Sequence, residues 1–291
     1  MTTEPNLRPD CGNCFALCCT ALGFTRSADF AIDKPAASPC PSLGVDFSCT
    51  IHQRLRPRGF TGCTVFDCFG AGQLVSQHTF GGTSWRERPA SAPGMFAVFK
   101  IVKQLHEMLW YLDEARQRTF DPDLATAAAS LAQHVADTAR GDATTVLEAD
   151  VETLHGQVRN LLMEVSEELR ASYGADERHV PDGGLQPGAD LMGARLANLS
   201  LCGVDLRGSY LIGAKLTGSD LSAADLLGAD LRGAELSGAD LSAALYLTQP
   251  QINAAEGNSR TLLPPRLHRP DHWGDSVPDS DSGPNPDSAP N

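Results

Sequence analysis

Between residues 188 and 242 the chain divides without remainder into blocks of five: GADLM GARLA NLSLC GVDLR GSYLI GAKLT GSDLS AADLL GADLR GAELS GADLS. A leucine holds the same place in every block, at Leu191, Leu196, Leu201, Leu206, Leu211, Leu216, Leu221, Leu226, Leu231, Leu236 and Leu241. An internal repeat of this kind is read as one architecture, in which neighbouring units bury what no single unit can bury alone. Two positions before most of these leucines stands a small residue, as at Ala189, Ala214, Ser219 and Ala234, whereas Leu199 and Val204 break the rule.

These blocks resemble the pentapeptide-repeat proteins, and the resemblance implies a right-handed quadrilateral β-helix over 188–247. In such a coil one leucine and one small residue per side point inward and the other positions face solvent. Each stacked leucine then contributes about 1.5 to 3 kcal/mol. Blocks taken four to a coil make just under three coils, about 14 Å of rod at ~4.8 Å per coil. On this reading Leu199 and Val204 predict a bulged corner or the widest coil, and Cys202 is an outward, free thiol. Asp190, Asp205, Asp220, Asp225, Asp230, Glu235 and Asp240 form outward acidic rows. Quinolone-resistance members of the family are long acidic rods proposed to mimic DNA toward topoisomerase, and this stack is short for that role. The frame degrades through AALYL. TQPQINAAEG then predicts a short helix ending at Gly257, part of a helical cap over 248–269, and 270–291 reads as a disordered acidic tail.

The head of the chain carries a different signal. Of the 9 cysteines all but Cys202 lie in the first 68 residues: Cys11, Cys14, Cys18, Cys19, Cys40, Cys49, Cys63 and Cys68. MTTEPNLRPD has acids and no apolar run, so no secretory signal is read there, and GMFAVFKIVKQLHEMLWYL is broken by Lys100 and Lys103. The expected setting is cytoplasmic, where thiols stay reduced and clustered cysteines at short spacing serve as metal ligands. Cys11 and Cys14 form a C-x2-C pair suited to one ion. Cys18 and Cys19 are adjacent and point apart in most backbones, so at most one joins them. The thiolates fit two four-coordinate zinc ions, or one iron–sulfur cluster with cysteines to spare.

CGNCFALCC, followed by CPSLGVDFSCTIHQRLRPRGFTGC over 40–63, resembles the zinc- or iron-chelating CxxCxxCC domain, with Cys40-Pro41, Cys49, Ile51, Arg56-Pro57 and Cys63 in the family's order. The opening is one residue longer than the family's, and His52 stands where that family has tyrosine, so His52 is either an added nitrogen ligand or a surface residue. Arg54, Arg56 and Arg58 bind an anion or form a solvated basic loop. GAGQ lacks the lysine of a phosphate loop and the third glycine of a dinucleotide fingerprint. Gly70, Gly72, Gly81 and Gly82 are therefore assigned to turns and close packing.

From Gly94 the texture is helical. Val98, Ile101, Val102, Leu105, Met108, Leu109 and Leu112 make one apolar face; Leu124, Leu131 and Val135 follow an Asp121 cap and Pro122; Val151, Leu154, Val158, Leu161 and Val165 form the seam of a hairpin or coiled coil that could support a homodimer. His106, His134 and His155 show no ligand spacing and are read as ordinary bundle or surface residues. The fold class expected is multi-domain: a Cys-rich metal-bound head (1–93), a small α-helical bundle (94–173), a linker (174–187), the β-helix and its cap.

The net charge of −13 is concentrated after residue 93 and disfavours direct nucleic-acid binding. With no nucleophile triad or phosphate loop readable, the leading expectation is a protein-interaction adaptor with a protein partner, no membrane, and zinc or iron held by thiolates. The alternatives are an iron–sulfur or other metal-dependent enzyme of redox or group-transfer chemistry, since some relatives of the chelating domain occur in protein lysine methylation, and an acidic DNA mimic.

Overall fold

The computed structural model describes residues 6–173 and 184–274. Most of the linker expected at 174–187 and of the tail expected at 270–291 lies outside them. The chain divides into two compact units, Met1–Asp176 and Glu177–Asn291.

In the first unit the head has little regular structure. It contains three short helices, α1 (Leu17–Ala21), α2 (Thr61–Thr64) and α3 (Ala71–Gln73), and a π-helical turn over Leu74–Thr79. Single antiparallel bridges, Phe24 to Lys34 and Leu43 to Cys49, tie its loops. Four further helices follow: α4 (Ala92–Arg118), α5 (Pro122–Ala139), α6 (Ala143–Leu147) and α7 (Val151–Ser172). The apolar stripe of α4 is buried as its spacing predicts, at Val98, Val102, Leu105, Met108, Leu109 and Leu112. Helices α5, α6 and α7 pack on α4, and so do α1 and α3, so the head and the helices share one core. The Asp121 carboxylate accepts from the backbone N–H groups of Asp123 and Leu124 and caps α5; Asp150 caps α7 in the same way through Thr153 N–H.

The second unit corrects the expected fold. Among the described residues there is no β-strand and no sheet, and the regular structure of the chain is helical. The repeats form a stack of turns in which each side of a coil offers a single bridging residue to the coil above. Parallel bridges join Asp190, Tyr210 and Asp230; Arg195, Lys215, Glu235 and Glu256; Ser200, Asp220, Asp240 and Leu262; and Asp205, Asp225 and Leu245. The reason lies in the block itself. Its first residue turns the chain with positive φ, as at Gly213 (φ 64) and Gly228 (φ 66), and leaves too few extended residues for a strand. Asn198 (φ 58) and Ala223 (φ 53) take the same left-handed conformation without glycine.

Every repeat leucine from 191 to 241 is buried, and Ala214, Ser219, Ala224, Ala234 and Ala239 are buried beside them. Three other expectations are overturned. No bulge interrupts the stack at Leu199 or Val204, since Asp220 N–H donates to Leu199 O at 3.0 Å and Asp225 N–H to Val204 O at 2.9 Å. Cys202 is buried rather than outward, its sulfur 2.8 Å from the Asp220 carboxylate. Asp225 is buried as well, within 3.6 Å of the Arg207 guanidinium.

The acidic rows also differ in kind from a free negative face. The carboxylates of Asp190, Asp205, Asp220, Asp225, Asp230 and Asp240 each accept the backbone N–H two residues on, so they close the turns of the stack. Asp205 and Asp230 are further paired with Arg207 and Arg232, and Glu235 with Lys215.

Beyond the regular blocks, helix α8 (Gln249–Ala254) starts with a Thr248–Gln251 capping box and stops short of Gly257. Trp273 packs on this segment: its indole N–H donates to Ala255 O at 2.8 Å and its ring leaves no room for a side chain at Gly257.

Candidate metal centre

Cys11 opens a 3-10 turn (Cys11–Asn13) capped by Asp10, and Cys18 and Cys19 lie on α1, whose buried Leu17 and Ala21 anchor it against α4. Cys40 N–H donates to Cys19 O at 3.0 Å, and the Leu43–Cys49 bridge folds the CPSLGVDFSC loop so that Cys49 returns toward Cys40. Cys63 lies on α2 and Cys68 just before α3. Aromatic packing braces the loop: Phe15 touches Phe47, Phe47 touches Trp85, and Trp85 touches Phe96 of α4, with the Arg86 guanidinium over Phe47 at 4.3 Å.

All of these cysteines are free thiols; Cys11 and Cys63 are exposed and the others half-buried. Two neighbourhoods meet at Cys18 and Cys19, whose sulfurs are 3.8 Å apart. In the first, a Cβ on Gly72 would stand 2.6 Å from the Cys14 sulfur and 3.8 Å from that of Cys68, so glycine at 72 is what lets both sulfurs approach one point. Burial pushes the Cys14 thiol up to about 11, with the Cys68 and Cys11 charges adding to it. Burial also raises Cys11 and Cys68, and Cys18 is raised by its hydrogen bond to Cys19 and by burial, with Cys14 and Cys68 beside it. In the second neighbourhood burial takes Cys63 up to about 11 and raises Cys49, and both sense Cys19 and Cys40. Cys19 is lowered, because Cys18 donates to it and the Lys34 ammonium is near.

Lys34 is a component that sequence reasoning missed. It is buried, its ammonium donates to the carbonyls of Thr20 (3.3 Å), Pro35 (3.2 Å) and Ser38 (2.8 Å), and it faces Cys40, Cys19, Cys18 and Cys63. A lysine in a loop carries no periodicity, so nothing local marks it. His52 is exposed on a 3-10 turn, its backbone N–H bonded to Cys49 O, and Arg54 and Arg58 are exposed beside it. Asp67 accepts from Phe69 N–H and shapes the turn around Cys68.

The donor set suits zinc or iron, since clustered thiolates are their preferred ligands. The backbone N–H groups of Gly72 and Gly70 lower the Cys68 thiol against its burial, and Leu17 N–H donates to the Cys14 sulfur at 3.5 Å, influences that favour thiolates. The sulfurs are near one another rather than converged: among the described residues no three His, Cys, Asp or Glu side chains are set in place to hold a metal ion.

The turn stack and its five-residue period define a class. The model of the family described as pentapeptide repeats matches residues 189–226 and 209–245, in 8 copies, and the chain contains pentapeptide repeats over those residues. It is 50% identical over 268 residues to "Uncharacterized protein YybG" of Bacillus subtilis (strain 168), across 92% of this chain and 95% of that protein. The chain belongs to the same family as YybG. No helix among the described residues is long and apolar enough to cross a membrane.

Proposed function

We propose that this chain is a protein-interaction adaptor whose cysteine-rich head binds zinc as a structural element. The observation that carries this reading is the gathering of eight reduced cysteines into two groups that meet at Cys18 and Cys19. Cys11, Cys14, Cys18 and Cys68 would hold one ion, and Cys19, Cys40, Cys49 and Cys63 another. Burial favours the protonated thiol at Cys11, Cys14, Cys49, Cys63 and Cys68, and a bound cation is what turns such thiols into thiolates. Lys34 would offset part of the negative charge of the second group. The likeness of the head to the zinc- or iron-chelating CxxCxxCC domain points the same way, while the second unit supplies a rigid scaffold with solvent-facing positions on each side for a protein partner.

The test is elemental analysis with an ultraviolet–visible spectrum on the full chain purified without oxygen. About two zinc per chain with no visible absorption supports the reading. Several iron atoms with broad visible absorption would replace it with a redox centre. Metal-free protein with intact thiols would overturn the metal assignment.

A further inference from the structure

A cavity of about 330 Å³ lies in the first unit, lined by Asp10, Asn13, Gln77, His78, His106 and Arg140 among others. It gathers features that the metal reading leaves unused. The π-helical turn Leu74–Thr79 forms part of the wall and brings Gln77 and His78 to it, and π-helical turns are rare and frequently found at functional sites. The wall is prearranged: Gln77 donates to Asn13 O at 2.9 Å, and Asn13 donates to the Asp10 carboxylate at 2.7 Å.

His106 is the decisive group. It is 1% exposed, and its Nδ1 lies 2.6 Å from Phe69 O. A carbonyl can only accept, so Nδ1 carries the proton and Nε2 is left with a lone pair. That Nε2 is buried and has no hydrogen-bond partner among the described residues. A buried acceptor left unsatisfied costs free energy that a bound donor would recover. The Arg140 charge near the ring adds to burial in keeping it neutral, and brings a guanidinium to the same cavity.

We propose that this cavity binds a small carboxylate carrying a hydroxyl or amino donor on the adjacent carbon, the donor hydrogen-bonded to His106 Nε2 and the carboxylate to Arg140. The volume is at the small end of ligand sites and leaves room for further atoms beyond the carboxylate and the donor next to it. Arg140 has contacts of its own within the protein, and a guanidinium carries five N–H donors, enough to keep them and still offer a pair to a carboxylate.

The experiment uses the full chain labelled with nitrogen-15 at histidine and titrated separately with L-lactate, L-alanine and acetate, following the His106 Nε2 resonance. Saturable movement with lactate or alanine is expected, with acetate binding roughly tenfold weaker for want of the donor. Arg140→Gln is expected to weaken the same titration by roughly tenfold or more while the His106 resonance keeps its unliganded position. An Nε2 resonance that responds to neither acid, or that responds to acetate as strongly as to lactate and alanine, overturns the proposal. The first of those outcomes would assign the lone pair to a bound water.

Discussion

The Nδ1 atom of His106, midway along α4, lies 2.6 Å from the carbonyl oxygen of Phe69 in the head, joining residues 37 apart in the chain. Burial first, and the Arg140 charge after it, lower the His106 pKa from 6.5 to about 4, against the bond to Phe69 that raises it. Between those values the unfolded chain binds a proton that the folded chain refuses, so stability falls as pH drops through this window and is unaffected by His106 above it. The expected loss between pH 7.5 and pH 5 is about 2 kcal/mol. Urea denaturation of the protein and of His106→Phe at both pH values checks it. The variant should lose that part of the slope; an unchanged slope would show that His106 is charged in the fold.

Cys14 and Cys63 belong to different sulfur neighbourhoods. Cys14→Ser and Cys63→Ser should each lower the zinc content by about half and unfold part of the head, leaving the repeat unit folded. Gly72→Ala should act like a milder Cys14→Ser, because its methyl would stand 2.6 Å from the Cys14 sulfur. Metal analysis of the purified variants decides the matter. Loss of all metal from either cysteine variant would mean one shared centre in place of two.

Leu216 is fully buried in the middle of the stack. Leu216→Asp removes its apolar contact and buries an unpaired carboxylate, at a cost above about 4 kcal/mol. The repeat unit should lose its cooperative unfolding transition while the helical circular dichroism of the first unit persists. A variant that unfolds like the parent would refute the inward leucine ladder.

How much of this was legible depended on the range over which each feature is determined. Helices α4, α5 and α7 declare themselves through apolar spacing and, for α5, through the Asp121 cap, all within a turn or two of chain. The leucine period is equally local. What the period does not carry is the extended length between turns: the first residue of each block is left-handed, so single bridges replace strands. Nor does it show that Asp220 accepts from both Ser222 N–H and the Cys202 sulfur, which draws that thiol inward. Lys34 and His106 take their roles from partners brought by tertiary folding, so each reads as ordinary in isolation.

Gly213 separates conformational from steric demand in the stack. Its φ is +64°, and a Cβ built there meets nothing within 4 Å. Any cost of Gly213→Ala therefore comes from the backbone, since an L-residue in the left-handed region places its Cβ against its own carbonyl, at about 1 to 2 kcal/mol. The reduced flexibility of the unfolded alanine chain returns about 0.4 to 1 kcal/mol. A net destabilisation of about 1 kcal/mol is expected, seen as a lower urea midpoint with an unchanged slope. Gly213→Asn should cost less, since asparagine tolerates this conformation and already occupies it at Asn198. If the alanine and asparagine variants are as stable as the parent, the glycines of the repeat are not there to turn the chain.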